Sequence, residues 1–216
     1  MRRRAELEAQ TRLRITESAV ALHSTLGPAR TSISAIASHA GVRRSTVYRH
    51  FPDEVTLFGA CSSHWAAANP VPDLAGWAGI SDPDRRLRRA LRELYAFYRR
   101  AQPMLDNVLR DEPMVPVLTP LLDGYRSYLG AARGTLMRGR AGSGRARRRL
   151  RAALGHALAF GTWRSLTMEG LTDDQAAEMM AGLVRMAEAG TSPRIGGSGV
   201  AGPWPPRHRP EGAAGA

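Results

Sequence analysis

Hydrophobic positions recur along this chain at helical spacing, and no run alternates convincingly with the period of two that a strand requires. Residues 5–26 read as one helix, with Leu13, Ile15, Ala19, Leu22 and Leu26 as its apolar stripe and Arg12, Arg14, Glu17 and Ser24 off it. Gly27-Pro28 ends that helix, because Gly accepts a C-terminal turn and Pro cannot continue it. Thr31 or Ser32 then caps a short helix carrying Ile33, Ile36, Ala37 and Ala40. Gly41 breaks it, a third helix runs from about Arg43 to His50, and a fourth opens at Pro52 or Asp53 through Val55, Leu57, Phe58 and Trp65.

The Pro-, Asp- and Gly-rich residues 69–84 read as a connecting loop. A strong helix begins near Asp82-Pro83-Asp84, striped by Leu87, Leu91, Leu94, Tyr95 and Tyr98, with Arg85, Arg86, Arg88, Arg89, Arg92 and Arg99 facing elsewhere. Pro103, Pro113, Pro116 and Pro120 cut residues 102–120 into short helical pieces. Further helices are expected from about Leu121 to Met137, from Arg145 to Met168, and after a cap at Thr172-Asp173-Asp174. The last carries Ala176, Met179, Met180, Leu183, Val184 and Ala187. Residues 190–216, rich in Gly, Pro and Ala, read as a disordered tail. The predicted fold is all-α with about nine helices: a three-helix head over residues 1–52, a helical body over 53–189, and the tail.

Composition changes the picture mainly through charge. At 43 % hydrophobic residues, the 216-residue chain can bury a core and is not wholly disordered. Its net charge of +12 points to a polyanionic partner, nucleic acid first and acidic membrane second. All 31 basic residues are Arg, which codon usage in a GC-rich genome explains better than selection does, so only the sign of the charge carries weight. Residues 1–52 hold nine Arg against three Glu, whereas residues 53–190 hold nineteen Arg against fifteen acids. The excess is concentrated where a DNA-facing head would need it. The single Cys61 excludes an intramolecular disulfide framework, the Arg-rich start lacks the apolar segment of a signal peptide, and no run reaches membrane-spanning length. A soluble, cytoplasmic protein is expected.

The informative segment is Thr31 to Phe51, two short helices about a tight Gly41 turn with Ile33, Ile36, Ala37, Ala40, Val42 and Val47 as their shared seam. Small residues at Ala37 and Ala40 let the helices cross closely. Outward on the second helix remain Arg43, Arg44, Ser45, Thr46, Tyr48, Arg49 and His50, a polar and cationic face without an acid. Such a face suits a major groove, where Arg reads guanine, Ser and Thr read several base edges, and Tyr and His reach phosphates.

These residues resemble the head of TetR-family transcriptional regulators. The matching positions are Gly27, Thr31-Ser32, Ile36-Ala37, Ala40-Gly41-Val42 and Thr46-Val47-Tyr48-Arg49-His50-Phe51, with weaker likeness from Arg14 to Leu57. The resemblance implies a helix-turn-helix that binds double-stranded DNA through Thr31, Ser32, Arg43, Arg44, Ser45, Thr46, Tyr48, Arg49 and His50. It also implies a ligand-responsive regulator, more often a repressor, acting as a dimer on a palindromic operator. One departure is Asp53-Glu54, where the family commonly has a phosphate-contacting Lys; that contact is not carried over.

The resemblance further implies an effector cavity between residues 82 and 168. Tyr95, Tyr98, Met104, Arg110, Tyr125, Phe160 and Trp163 are its candidate lining, with Asp106 a second polar anchor, for an apolar or aromatic small molecule of unknown identity. The aromatic set Tyr95, Phe97, Tyr98, Tyr125, Tyr128, Phe160 and Trp163 could line a cavity or fill a core; by count most must be core, with two or three facing a cavity. A homodimer through the last two helices is expected from two sources. The family pairs there, and the predicted helix 145–168 has two apolar sides, one through Leu150, Leu154, Ala157, Leu158 and Gly161, the other through Phe160 and Trp163. Small residues Gly155, Ala157, Ala159 and Gly161 would admit a second backbone.

No catalytic motif, cofactor loop or metal site is expected: Cys61 and His64 have C-x-x-H spacing but no further ligands nearby. The basic run Arg145 to Arg151 reads as a solvated helix face. The rival reading is an Arg-rich helical scaffold or membrane-surface protein.

Overall fold

The computed structural model describes residues 2–189, which form ten α-helices and two short 3-10 turns. The expected disordered tail lies outside the described residues. α1 (Arg2–Thr25), α2 (Ile33–His39) and α3 (Arg44–His50) make the head, and α4 (Glu54–Ala68) leads into the body. The body follows as α5 (Leu74–Ala78), α6 (Pro83–Asp111), α7 (Leu118–Met137), α8 (Gly144–Leu158), α9 (Phe160–Met168) and α10 (Asp173–Ala189).

Local chemistry explains half of the helix starts. The side chains of Ser32, Asp53, Asp73 and Asp82 each accept from a backbone N–H two or three residues on, opening α2, α4, α5 and α6. Thr172 and Gln175 form a reciprocal box at α10: the Gln175 N–H donates to the Thr172 hydroxyl (3.2 Å), and the Thr172 N–H donates to the Gln175 side chain (2.9 Å).

Two apolar cores result. Ile15, Ala19, Ile36, Ala37, Ala40, Val47 and Phe51 form the head core, which also takes in Leu57 and Cys61 of α4. Leu13 and Leu26, expected in the α1 stripe, are instead exposed; the buried face turns through Ile15, Ala19 and His23. The body core is built on α6, whose Leu87, Leu91, Leu94, Tyr95 and Tyr98 are all fully buried against α7, α8, α9 and α10.

Four features depart from the periodicity. α6 continues through Pro103 to Asp111, with Tyr98 and Ala101 buried before the proline and Met104 and Leu105 buried after it. The 69–84 segment contains α5, whose Trp77 is buried and donates its indole N–H to Glu93 (2.6 Å). Arg86 does not face solvent; it is buried, and its guanidinium donates to the carbonyls of Ile80, Ser81, Thr135 and Arg138.

The expected helix 145–168 is two helices, broken at Ala159, which is extended (φ −73°, ψ 134°). The break frees the last carbonyls of α8, and two hydroxyls from α6 meet them. Tyr95 donates to Ala157 (2.8 Å) and Tyr98 to Leu158 (2.5 Å). No single helix therefore carries both of the expected apolar sides. Phe160 and Trp163 sit on α9 and are buried in their own subunit, Ala157 is buried as well, and Gly155 lies under the Arg133 side chain.

Candidate nucleic-acid interface and internal cavity

α2 and α3 pack across the turn at Gly41, whose φ of 64° is a left-handed conformation that glycine takes without a Cβ penalty. Val47 is buried against α2, which turns the opposite side of α3 outward. Arg43, Arg44, Ser45, Tyr48 and Arg49 are exposed and Thr46 is half-buried. Arg44 donates to the Tyr48 hydroxyl (2.9 Å), so the two side chains form one unit on the open face.

His50 is placed differently from the expectation. Its Nε2 is buried without a hydrogen-bond partner among the described residues, and its carbonyl accepts from Arg12. The Arg12 guanidinium also lies 4.0 Å over the Phe51 ring, fastening the end of α3 to α1. Burial, then the neighbouring charges of Arg49 and Arg12, hold the His50 pKa below its usual value and favour the neutral ring.

Thr31 and Ser32 have structural partners: the Thr31 hydroxyl donates to the Gly27 carbonyl (2.8 Å) and Ser32 caps α2. Asp53 accepts from both the backbone N–H and the hydroxyl of Thr56, and these bonds lower its pKa.

Head and body meet where α1 ends against α6. The Asn107 amide donates to the carbonyls of His23 (3.1 Å) and Ser24 (2.7 Å), which the helix end leaves unpaired. Asp111, buried, accepts from the Ala29 N–H (3.0 Å) and from Arg110 (2.7 Å). Gly27 lets this contact form: at φ 94° it lies so close to Arg110 and Asp111 that a Cβ would collide with both side chains.

Directly beside this junction is a cavity of about 510 Å³. Its deep wall includes His23 of α1, Cys61 of α4, and Phe97, Met104 and Leu105 of α6, all buried. Phe58 and Trp65 of α4 and Leu122, Tyr125 and Tyr128 of α7 complete the sides. His23 stacks on Phe58 with ring centroids 4.8 Å apart. Burial drives the His23 pKa down to about 4, against a smaller upward pull from Asp111, and pushes the Cys61 thiol up to about 12.

Of the residues expected to line a cavity, Met104 and Tyr125 do. Tyr95, Tyr98, Phe160 and Trp163 form an aromatic core cluster instead, with Tyr98 5.3 Å from Phe160 and 5.8 Å from Trp163. Arg110 is engaged with Asp111 and the Leu26 carbonyl, and Asp106 with Arg164. His23, Phe58 and Trp65 are among the lining residues that sequence reasoning missed. Aromatic character alone flagged Phe97 and Tyr128, without deciding between core and cavity.

No group of three or more metal-ligating side chains occurs among the described residues, and no described helix is long and apolar enough to cross a membrane.

Comparison with known proteins agrees with this architecture. Residues 15–61 match the family model for bacterial regulatory proteins of the tetR family. No curated protein matches the chain. Among solved structures, a TetR-like transcriptional regulator from Rhodococcus sp. RHA1 is 20 % identical with a TM-score of 0.63, covering 84 % of this chain and 97 % of its own. A TetR-family regulator from Streptomyces coelicolor is 22 % identical (TM-score 0.54), covering 84 % of this chain and 80 % of its own. A TetR transcription regulator from Haloarcula marismortui is 14 % identical (TM-score 0.53), covering 84 % and 98 %. At these identities the structures speak for the fold, while the family model speaks for the head. Residues 15–61 thus match the head of that family, and the described helices share the fold of solved TetR-like regulators.

Proposed function

We propose that this chain is a ligand-responsive transcription factor, a repressor, that reads a palindromic operator as a homodimer in the cytoplasm; catalysis forms no part of this reading. The observation that carries it is the open face of α3, where Arg43, Arg44, Ser45, Tyr48 and Arg49 are exposed and the helix bears no acid. A dimer would set two such helices in successive major grooves, about 34–36 Å apart. The pairing surface is α10, whose Met179, Leu183 and Met186, spaced i, i+4 and i+7, are each about half exposed.

Ligand control is supported by the position of the cavity. His23 and Met104 line it, and Asn107, one turn along α6 from Met104, holds the His23 carbonyl. A ligand that prefers one placement of α1 against α6 would shift the population of DNA-competent dimers by that preference.

Arg44→Ala is expected to weaken operator binding by about 1–3 kcal/mol, the worth of a bidentate base contact, and to leave binding to scrambled duplex much less affected. Titrating both duplexes by fluorescence anisotropy checks this. Equal loss on both would reassign Arg44 to the phosphate backbone.

A further inference from the structure

The cavity wall differs in composition from the rest of the chain. Charged residues make up 23 % of the sequence, yet none of the twenty residues lining the cavity is Asp, Glu or Arg. At the chain's average, four or five would be. The charged groups adjacent in sequence to its wall, Asp106, Asp123 and Arg126, are tied up in ion pairs of their own. A bound cation would find no carboxylate here, and a bound carboxylate no guanidinium. Desolvating either charge without a partner is heavily unfavourable.

The titratable groups in the wall lean the same way. His23 is lowered and Cys61, Tyr125 and Tyr128 are raised, each chiefly by burial, so all four are held neutral near pH 7. Both phenols already donate, Tyr125 to the Tyr98 hydroxyl (3.2 Å) and Tyr128 to the Pro72 carbonyl (2.9 Å). Their remaining lone pairs can accept from a ligand hydroxyl. Phe58, Trp65 and Phe97 supply flat apolar surface, and the exposed lining residues Ala66, Pro70, Val71 and Gly124 mark the side open to solvent.

We propose that this cavity selects an uncharged, mainly apolar ring compound carrying a hydroxyl group, and rejects cations and carboxylates of the same size. The proposal rests on the ligand-responsive reading above and specifies its effector class.

Three compounds that share one ring system test it: 2-naphthol (neutral), 2-naphthoate (anionic) and 2-naphthylmethylammonium (cationic), titrated calorimetrically into the full chain at pH 7. 2-Naphthol is expected to bind at least about thirtyfold more tightly than either charged compound. Either charged compound matching it, or no binding by 2-naphthol up to its solubility limit, overturns the proposal.

Ser62→Asp places a carboxylate on the half-buried α4 part of the wall and is expected to strengthen binding of the ammonium compound at least tenfold. If that variant melts well below wild type, Val71→Asp at the exposed mouth replaces it. A folded variant with unchanged preferences would mean that the compounds bind elsewhere, which also overturns the proposal. DNA is absent from these titrations, so a failure here leaves DNA reading untouched. Conversely, an operator complex that no bound compound releases would count against ligand control, while charge selection would stand.

Discussion

Replacing Met179 and Leu183 together with Asp is expected to give a folded monomer that no longer holds operator DNA. Both residues are about half exposed on α10, so the monomer loses little by the change. Their neighbours on the inner face, Ala176, Ala177, Met180, Ala181 and Val184, stay packed in the body core. In a two-fold interface the double substitution buries four unpaired carboxylates against apolar surface. A dimer dissociation constant raised on the order of a thousandfold or more follows. Light scattering at micromolar concentration reads the mass, and circular dichroism confirms that helix content is kept. A double variant that remains dimeric would place the interface elsewhere. Val184→Asp is the wrong probe for the same question: Val184 is wholly buried in its own subunit, and its replacement would unfold the body.

Arg86→Met is expected to lower stability by about 3 kcal/mol, the cost of leaving several buried carbonyls without donors. Arg86 joins three segments through its four carbonyl partners: the turn before α6 at Ile80 and Ser81, the end of α7 at Thr135, and Arg138 beyond it. Burial, and the nearby charges of Arg138 and Arg140, lower the guanidinium pKa. Methionine keeps much of the side-chain bulk and removes every donor. For a domain of this size the melting temperature should fall by about 6–12 °C. Arg85→Met, at the exposed neighbouring position, should leave it nearly unchanged. Equal melting temperatures for the two variants would show that the buried hydrogen bonds contribute nothing net.

The head was legible because its determinants are local. Ser32 caps α2 from one residue before it, Gly41 supplies the left-handed turn, and Val47 sets which side of α3 is hidden. The start of α10 was equally legible, since its capping groups lie three residues apart. What the pattern missed is set by distant partners. Nothing at Ala159 announces a helix break; the carbonyls that the break exposes are met by Tyr95 and Tyr98, about sixty residues earlier. Arg86 looked like one more solvated Arg because its four acceptors lie on other segments. Pro103 signals a stop, yet α6 continues through it with buried residues on both sides.

The cavity was half legible for a related reason. Periodicity finds the apolar side of one helix but does not say whether a core or an empty space lies against it. Tyr98 and Tyr125 are hydrogen-bonded to each other, and only the second faces the cavity. His23 and Phe58 reach the same wall from α1 and α4, outside residues 82–168.

The central claim is that α3 reads a specific DNA sequence as one of a pair. The most direct test is to let the purified chain select fragments from its own genome and to footprint the enriched duplex with hydroxyl radicals. The account predicts one enriched palindrome, protected in two patches about one helical turn apart, with the protection lost in the Met179→Asp, Leu183→Asp double variant. Fragments enriched no more than random DNA, together with equal binding to vesicles of anionic lipid, would contradict it.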